Sequence, residues 1–319
     1  MRRARRWFPI GIFVMAPLAC AACSKAGDSS ESEKSDAGAL GVTAVETRPS
    51  STTPRVAPPL APVVLRCPSD MMKVGEKLCV DRYEMSLVDM ATGRALSPHY
   101  PVLASYDAFL EARRGEAAAF LAKRGGAAAT VPFPELPSFQ RSGPVKPKAV
   151  SQPGVVPNAY LTRAVAASAC EAAEKRLCTL GEWQTACRGE RSTKHPYGDE
   201  FANFRCNVFR EEHPGHVLFR DFSVGMQDPR MGLVEGSRGP LLRRTGETTT
   251  CASRFGADAA YDMVGNLDEW VDDPEGTFAG GFFSRATRDG CERIVVAHGP
   301  DYRDYTTGAR CCRDARAEP

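Results

Sequence analysis

Apolar positions are unevenly spaced along the chain, and their spacing divides it into regions. Residues 7–22 carry no charged side chain, and Arg2, Arg3, Arg5 and Arg6 stand before them. The uncharged run is 16 residues long, shorter than the ~20 that cross a bilayer. A basic start, a short apolar stretch and small residues near its end predict a secretory signal peptide over 1–22. Residues 24–66 contain no aromatic side chain, and Ser, Thr, Ala, Pro and Glu dominate. Such a segment buries too little apolar area to offset its ordering entropy, so residues 23–66 are expected to be a disordered tether. Regular hydrophobic patterning begins near Cys67. A folded domain is expected over 67–313, with a short tail at 314–319.

Within that domain, Leu78-Cys79-Val80-Asp81-Arg82-Tyr83-Glu84-Met85 reads as one strand. Residues 105–124 are Ala-rich and place Phe109, Leu110, Phe120 and Leu121 at helical spacing, which predicts a helix. The Pro-, Gly- and Ala-rich stretch 125–157 predicts a long irregular connection. Residues 162–175 predict a second helix with Thr162 as its N-cap. The clearest local signal lies at 177–189. Thr179 and Glu182 form a T-x-x-E capping box, Leu180, Trp183 and Cys187 share one helical face, and Gly189 can end the helix with a positive φ. Beyond it Gly, Pro, Asn and Asp recur every few residues. The pattern is a loop-rich α+β domain and not an alternating βαβ one. It contains no internal repeat.

Composition narrows the function classes. The chain has 319 residues, a net charge of +2 and 25% charged side chains, which is ordinary for a globular protein. Without the four N-terminal arginines the net charge is −2, so no nucleic-acid partner is expected. The signal segment ends Leu18-Ala19-Cys20-Ala21-Ala22-Cys23-Ser24. Small residues before a cysteine resemble the lipobox of bacterial lipoproteins. Cys23 is favoured for lipidation over Cys20, because Ala21 and Ala22 are small and a polar tether follows. The alternative is an ordinary secretory signal with incidental cysteines. Either way the protein is expected outside the cytoplasm. With the lipid it is a membrane-anchored lipoprotein of the bacterial cell envelope, facing the periplasm or the exterior.

Ten of the 12 cysteines lie beyond the tether, at 67, 79, 170, 178, 187, 206, 251, 291, 311 and 312. An even number in an oxidising compartment predicts five disulfides, although ten cysteines allow on the order of a thousand pairings. Zinc is the competing use, but no C-x2-C pair with a partner pair is present.

Five motif blocks follow one another in order along the second half of the chain. Lys175-Arg176-Leu177-Cys178-Thr179-Leu180-Gly181-Glu182-Trp183 opens a segment similar to K-R-L-P-T-E-A-E-W. His195-Pro196-Tyr197-Gly198, with Ala202-Asn203, is similar to Y-P-W-G…A-N. Tyr261-Asp262-Met263-Val264-Gly265-Asn266-Leu267-Asp268-Glu269-Trp270 is similar to Y-D-M-x-G-N-V-W-E-W. Gly280-Gly281 and Gly308-Ala309-Arg310-Cys311 complete the set. Together the five blocks resemble the formylglycine-generating enzyme, or sulfatase-modifying factor, family. The resemblance implies a compact, mixed α+β domain of C-type-lectin-like type, disulfide-rich and with little regular structure. It implies the pairs Cys170–Cys311 and Cys187–Cys291. Cys67 with Cys79, and Cys206 with Cys251, would then close local loops, leaving Cys178 for Cys312.

The same resemblance implies structural calcium, held by the side chains of Asp262 and Glu269 with the carbonyls of Gly265 and Leu267. Two carboxylates and a turn that converges carbonyls suit a hard cation. A second family site would use Asn203 and the carbonyl of Phe204. The family's oxidases hold copper(I) on a C-x4-C pair shortly after Gly-Gly, and convert a substrate cysteine to formylglycine with O2. Here residues 280–291 contain one cysteine, Cys291, already assigned to Cys187, and Asp268 stands where the family has Trp. Copper is therefore not expected, because one thiolate cannot supply a two-coordinate site, and no catalytic residue is assigned. The histidine motif of the related iron-dependent sulfoxide synthases is absent; His213 and His216 are the only close pair and read as an exposed turn. Walker A and G-x-S-x-G patterns are also absent.

What remains is the region of the family's groove. Asn266, Asp268, Phe282, Phe283, Arg285 and Arg288 are expected to border it and to take a peptide, a glycan or an envelope protein. Two function classes follow. The first is a tethered, non-catalytic binding or structural module. The second is an oxidase or oxygenase with other ligands. A maturation factor for another exported protein is a weaker third.

Overall fold

The computed structural model describes residues 64–285 and 287–317. The signal segment, Cys20, Cys23 and the tether up to residue 63 lie outside the described residues.

Helix α1 (Asp107–Arg124) is Ala-rich, with Lys123 and Arg124 in its last turn, where cations complement the helix dipole. It buries Leu110 and Ala117, and Phe120 meets Phe219 edge-on at 5.5 Å. The stretch expected to be irregular holds more structure than its prolines suggest. It contains a short helix, α2 (Ser138–Ser142), and the strand Pro147–Ser151. That strand begins at a proline and pairs antiparallel with Met85–Asp89, as an edge position permits. Helix α3 (Arg163–Ala172) is capped by Thr162, whose hydroxyl accepts from Val165 N at 3.2 Å. Helix α4 (Leu180–Arg188) carries the capping box: Glu182 N donates to Thr179 Oγ1 at 3.3 Å, and Thr179 N to Glu182 Oε2 at 2.9 Å. Its buried face is Trp183, Ala186 and Cys187. Gly189 follows with φ 68°. The last helix, α5 (Pro214–Phe219), is one short turn capped by His213.

Two four-stranded sheets hold these helices. The first runs Met71–Val74, Leu78–Asp81, Cys311–Asp314, Arg176–Leu177, all antiparallel. The second runs Ile294–Val295, Phe278–Ala279, Asp268–Trp270, Thr307–Ala309, with only the last pair parallel. Successive side chains of a strand point to opposite faces. Cys311 and Cys312 therefore bridge to opposite sides, Cys311 to Cys170 on α3 and Cys312 to Cys178 just before α4. The remaining bridges are Cys67–Cys79, Cys187–Cys291 and Cys206–Cys251. All five pairings are those expected. Trp183 and Trp270 are both fully buried and centre two of the apolar clusters.

Three boundaries differ from expectation. The strand expected over 78–85 breaks after Asp81 and resumes at Met85. At the break Arg82 bonds Ser69 O at 3.0 Å and Asp258 Oδ1 at 2.7 Å, and the Glu84 side chain is buried at 1% exposure. The domain also reaches into the expected tether and tail, because Leu65–Arg66 pairs with Arg316–Ala317. Among the described residues, no helix is long and apolar enough to cross a membrane.

Candidate functional site

Strand Asp268–Trp270 lies at the middle of the second sheet and presents two carboxylates in succession. Trp270 is anchored by its indole N–H, which donates to Leu161 O at 2.7 Å. Glu269 faces the other side. Arg310, at the end of the neighbouring strand, donates to Glu269 Oε2 at 2.7 Å and Oε1 at 2.6 Å. Trp183 of α4 adds an N–H bond to Oε2 at 2.7 Å. Arg310 also donates to Asp81 O at 3.0 Å and Tyr261 O at 2.9 Å. The ion pair thus ties both sheets and α4 together with none of its atoms in water.

Around it sits a second tier of buried polar groups. Asn266 Nδ2 donates to Glu84 Oε2 at 2.6 Å, and Leu267 N to Glu84 Oε1 at 3.1 Å. Asn266 Oδ1 accepts from Asn207 Nδ2 and Arg243 N, each at 2.9 Å. Asp262 Oδ2 accepts from Gly246 N at 2.7 Å. Burial, reinforced by the charges of Asp262 and Glu269, pushes the Glu84 carboxyl well above its ordinary value. Burial likewise pushes Asp262 to about 7. Two glycines allow this packing. Gly265, at φ 84°, lies against the Asn207 carbonyl. At Gly280, φ 91°, a Cβ would come 2.7 Å from Met263 O and 3.1 Å from the Trp183 ring, positions that L side chains rarely adopt.

The residues expected to hold calcium therefore come together, but as a cation cage they do not fit. Glu269 turns both oxygens to a guanidinium and an indole, so positive charge already stands where the ion would sit. Asn203 and Phe204 lie on an exposed turn. Phe204 is 60% exposed, and Arg238 stacks over its ring at 3.6 Å.

The expected groove is mostly interior. Asn266, Asp268 and Phe283 are fully buried and Phe282 is 8% exposed. Phe282 and Phe283 pack against Tyr305 at 5.8 and 6.0 Å, because aromatic rings in this loop gain more from the core than from water. Only Arg285 and Arg288 reach the surface. Arg288 covers Phe201 at 5.3 Å, and Arg285 covers Phe282 at 5.0 Å while donating to Asp268 Oδ2 at 3.1 Å. Asp268 Oδ1 has no partner among the described residues, and burial pushes this carboxyl to about 7.

The histidine pair sits at the start of α5, with His213 half-buried as its cap and His216 exposed as expected. His213 Nδ1 accepts from Gly215 N at 3.1 Å, and its Nε2 meets Tyr305 Oη at 3.0 Å. His216 stacks on Phe222 at 4.9 Å. Sequence reasoning assigned no role to Glu84, Arg310 or Trp183. Arg310 and Trp183 stand inside matched blocks, which was the available signal; Glu84 carried none.

A family model for the sulfatase-modifying factor enzyme 1-like domain matches residues 117–319. No curated protein matches. Among solved structures, CarF is similar at 13% identity and a TM-score of 0.33, over 75% of this chain and 87% of that one. PvdO from Pseudomonas aeruginosa is similar at 15% identity and a TM-score of 0.34, over 78% of this chain and 90% of that one. The U1 variant of the major tropism determinant is similar at 14% identity and a TM-score of 0.38, over 80% of this chain; the chain spans about 55% of that protein's length. With the family model covering more than half of its length, and with its motif blocks in order, the chain belongs to the sulfatase-modifying factor enzyme 1-like domain family.

Proposed function

We propose that this protein is a non-catalytic member of its family. It is exported, tethered to the membrane of the bacterial cell envelope by a lipid on Cys23 (or Cys20), and acts there as a binding or structural module for a peptide, a glycan or an envelope protein. One observation carries the proposal. All ten cysteines from Cys67 to Cys312 are in disulfides, and Cys291, the one cysteine within residues 280–291, bridges to Cys187. Copper(I) wants soft thiolate donors, and this domain offers none. The one close histidine pair supplies no substitute: His213 is a helix cap bonded to Tyr305. Asp268, at the family's Trp position, is buried beneath Arg285 instead of facing a substrate.

The test is thiol labelling of the unreduced full chain after denaturation, with labelled positions identified by mass spectrometry. The expected outcome is no label on any of the ten domain cysteines. Label on Cys291 together with a second domain cysteine, accompanied by stoichiometric copper(I) binding and O2 consumption with a thiol-bearing peptide, would instead make the protein an oxidase.

A further inference from the structure

A cleft of about 600 Å³ opens beside the C-terminal end of α4. It is separate from Asp268 and the Gly280-Gly281 segment. Four arginines line it, Arg188, Arg191, Arg205 and Arg254, with Glu190 as its one acid. The charges are not balanced within the cleft. Arg188 is neutralised by Glu292, and the Glu190 carboxylate accepts from Gly256 N at 2.8 Å. Arg191, Arg205 and Arg254 are exposed and have no ion-pair partner among the described residues.

The walls are held in advance of any ligand. Arg188 follows Cys187, which is bridged to Cys291; Arg205 precedes Cys206, which is bridged to Cys251 in the opposite wall. Thr250 Oγ1 donates to Arg205 O at 2.7 Å, and Glu190 N to Arg254 O at 2.9 Å. Like charges converging on a concave, disulfide-clamped surface focus a positive potential. Guanidinium forks match the oxygens of phosphate and sulfate groups.

We propose that this cleft binds a ligand through phosphate or sulfate groups, held by Arg191, Arg205 and Arg254. The proposal deepens the binding-module reading and rests on it. The two fail separately, because the thiol count can be zero whether or not an anion binds.

The experiment is calorimetric titration of the full chain with inorganic pyrophosphate and with a sulfated disaccharide, at low and at high sodium chloride. Saturable one-to-one binding that weakens with salt is expected from at least one probe. A tighter disaccharide marks an ester on a sugar as the source, and a tighter pyrophosphate marks a free anion. The double variant R205Q/R254Q should bind on the order of a hundredfold more weakly, since each lost charge-assisted bond is worth about a factor of ten. Lys123→Gln, an exposed charge lost from α1, should bind as the parent does. No saturation by either probe overturns the proposal, as does an unchanged affinity in a double variant whose circular dichroism and melting match the parent.

Discussion

Asp268 and Glu269 are neighbours on one strand, both fully buried, and their surroundings are opposite. Glu269 meets three donors at 2.6–2.7 Å, two from a fully buried guanidinium and one from an indole. Asp268 meets one, at 3.1 Å, from Arg285, whose side chain is 27% exposed, and its second oxygen has no partner. Burying a carboxylate is costly unless its countercharge is buried and bonded with it. Glu269 satisfies that condition because Arg310 is itself fixed by two further carbonyls. Asp268 does not, and burial holds its proton to about pH 7. One position is a cross-link of the scaffold; the other is a titratable group inside it.

The sharpest way to break this comparison is Arg310→Met. It leaves the Glu269 charge buried without a counterion, which should cost about 3–5 kcal/mol in urea denaturation at neutral pH. A loss below about 1 kcal/mol would mean that Glu269 is no better partnered than Asp268.

Asp268→Asn tests the other member. Its folded-state pKa is raised above the unfolded value of about 3.9. The proton's contribution to stability is therefore fully present below about pH 4 and is lost as pH rises through about 7. The variant has no such proton to lose. Relative to the parent it should gain on the order of 4 kcal/mol above about pH 8 and nothing near pH 4. Equal pH slopes for parent and variant between 4 and 7 would remove Asp268 as the titrating group.

How far these two positions could be read from the chain follows the range of their contacts. The caps at Thr162 and Thr179 were legible because each bond spans three residues. Two long-range pairs, Cys170–Cys311 and Cys187–Cys291, were legible only through the order of the motif blocks, since they span 141 and 104 residues; Cys67–Cys79 and Cys206–Cys251 were read as neighbours along the chain, and Cys178–Cys312 as the remainder. Glu84 was not legible. Its partners lie 182 and 183 residues away, and locally it continues an alternating run. Phe282 and Phe283 misled for a related reason. Outside a helix or strand, spacing does not say which way a ring points, and Tyr305 decides that. Composition placed Leu65 and Arg66 in the tether, because the strand that pairs with them comes from the other end of the domain.

A smaller effect is expected from Arg285→Gln, which removes the single charged donor to Asp268. Asp268 gains no counterion, so the variant should lose about 1 kcal/mol above pH ~8, a value kept low by the partial exposure of Arg285. Below about pH 5 Asp268 is protonated and the loss should vanish. A loss of equal size at both ends of the range would assign Arg285 a packing role over Phe282 instead of an electrostatic one.

The smallest expected effect concerns calcium, and it returns to Glu269. A ligand that binds only the folded state raises its stability in proportion to the logarithm of its concentration. With Glu269 engaged by Arg310 and Trp183, added Ca2+ has no carboxylate pair to join, and Asp262 holds a proton until about pH 7. Melting of the full chain with excess Ca2+ and with a chelator should therefore agree within about 1 °C at pH ~6. A saturable rise of several degrees would require Glu269 to leave Arg310 for the ion. That rise should then persist in Asp268→Asn and disappear in Glu269→Gln, reversing the roles of the two neighbours, with Glu269 the responsive group and Asp268 the passive one.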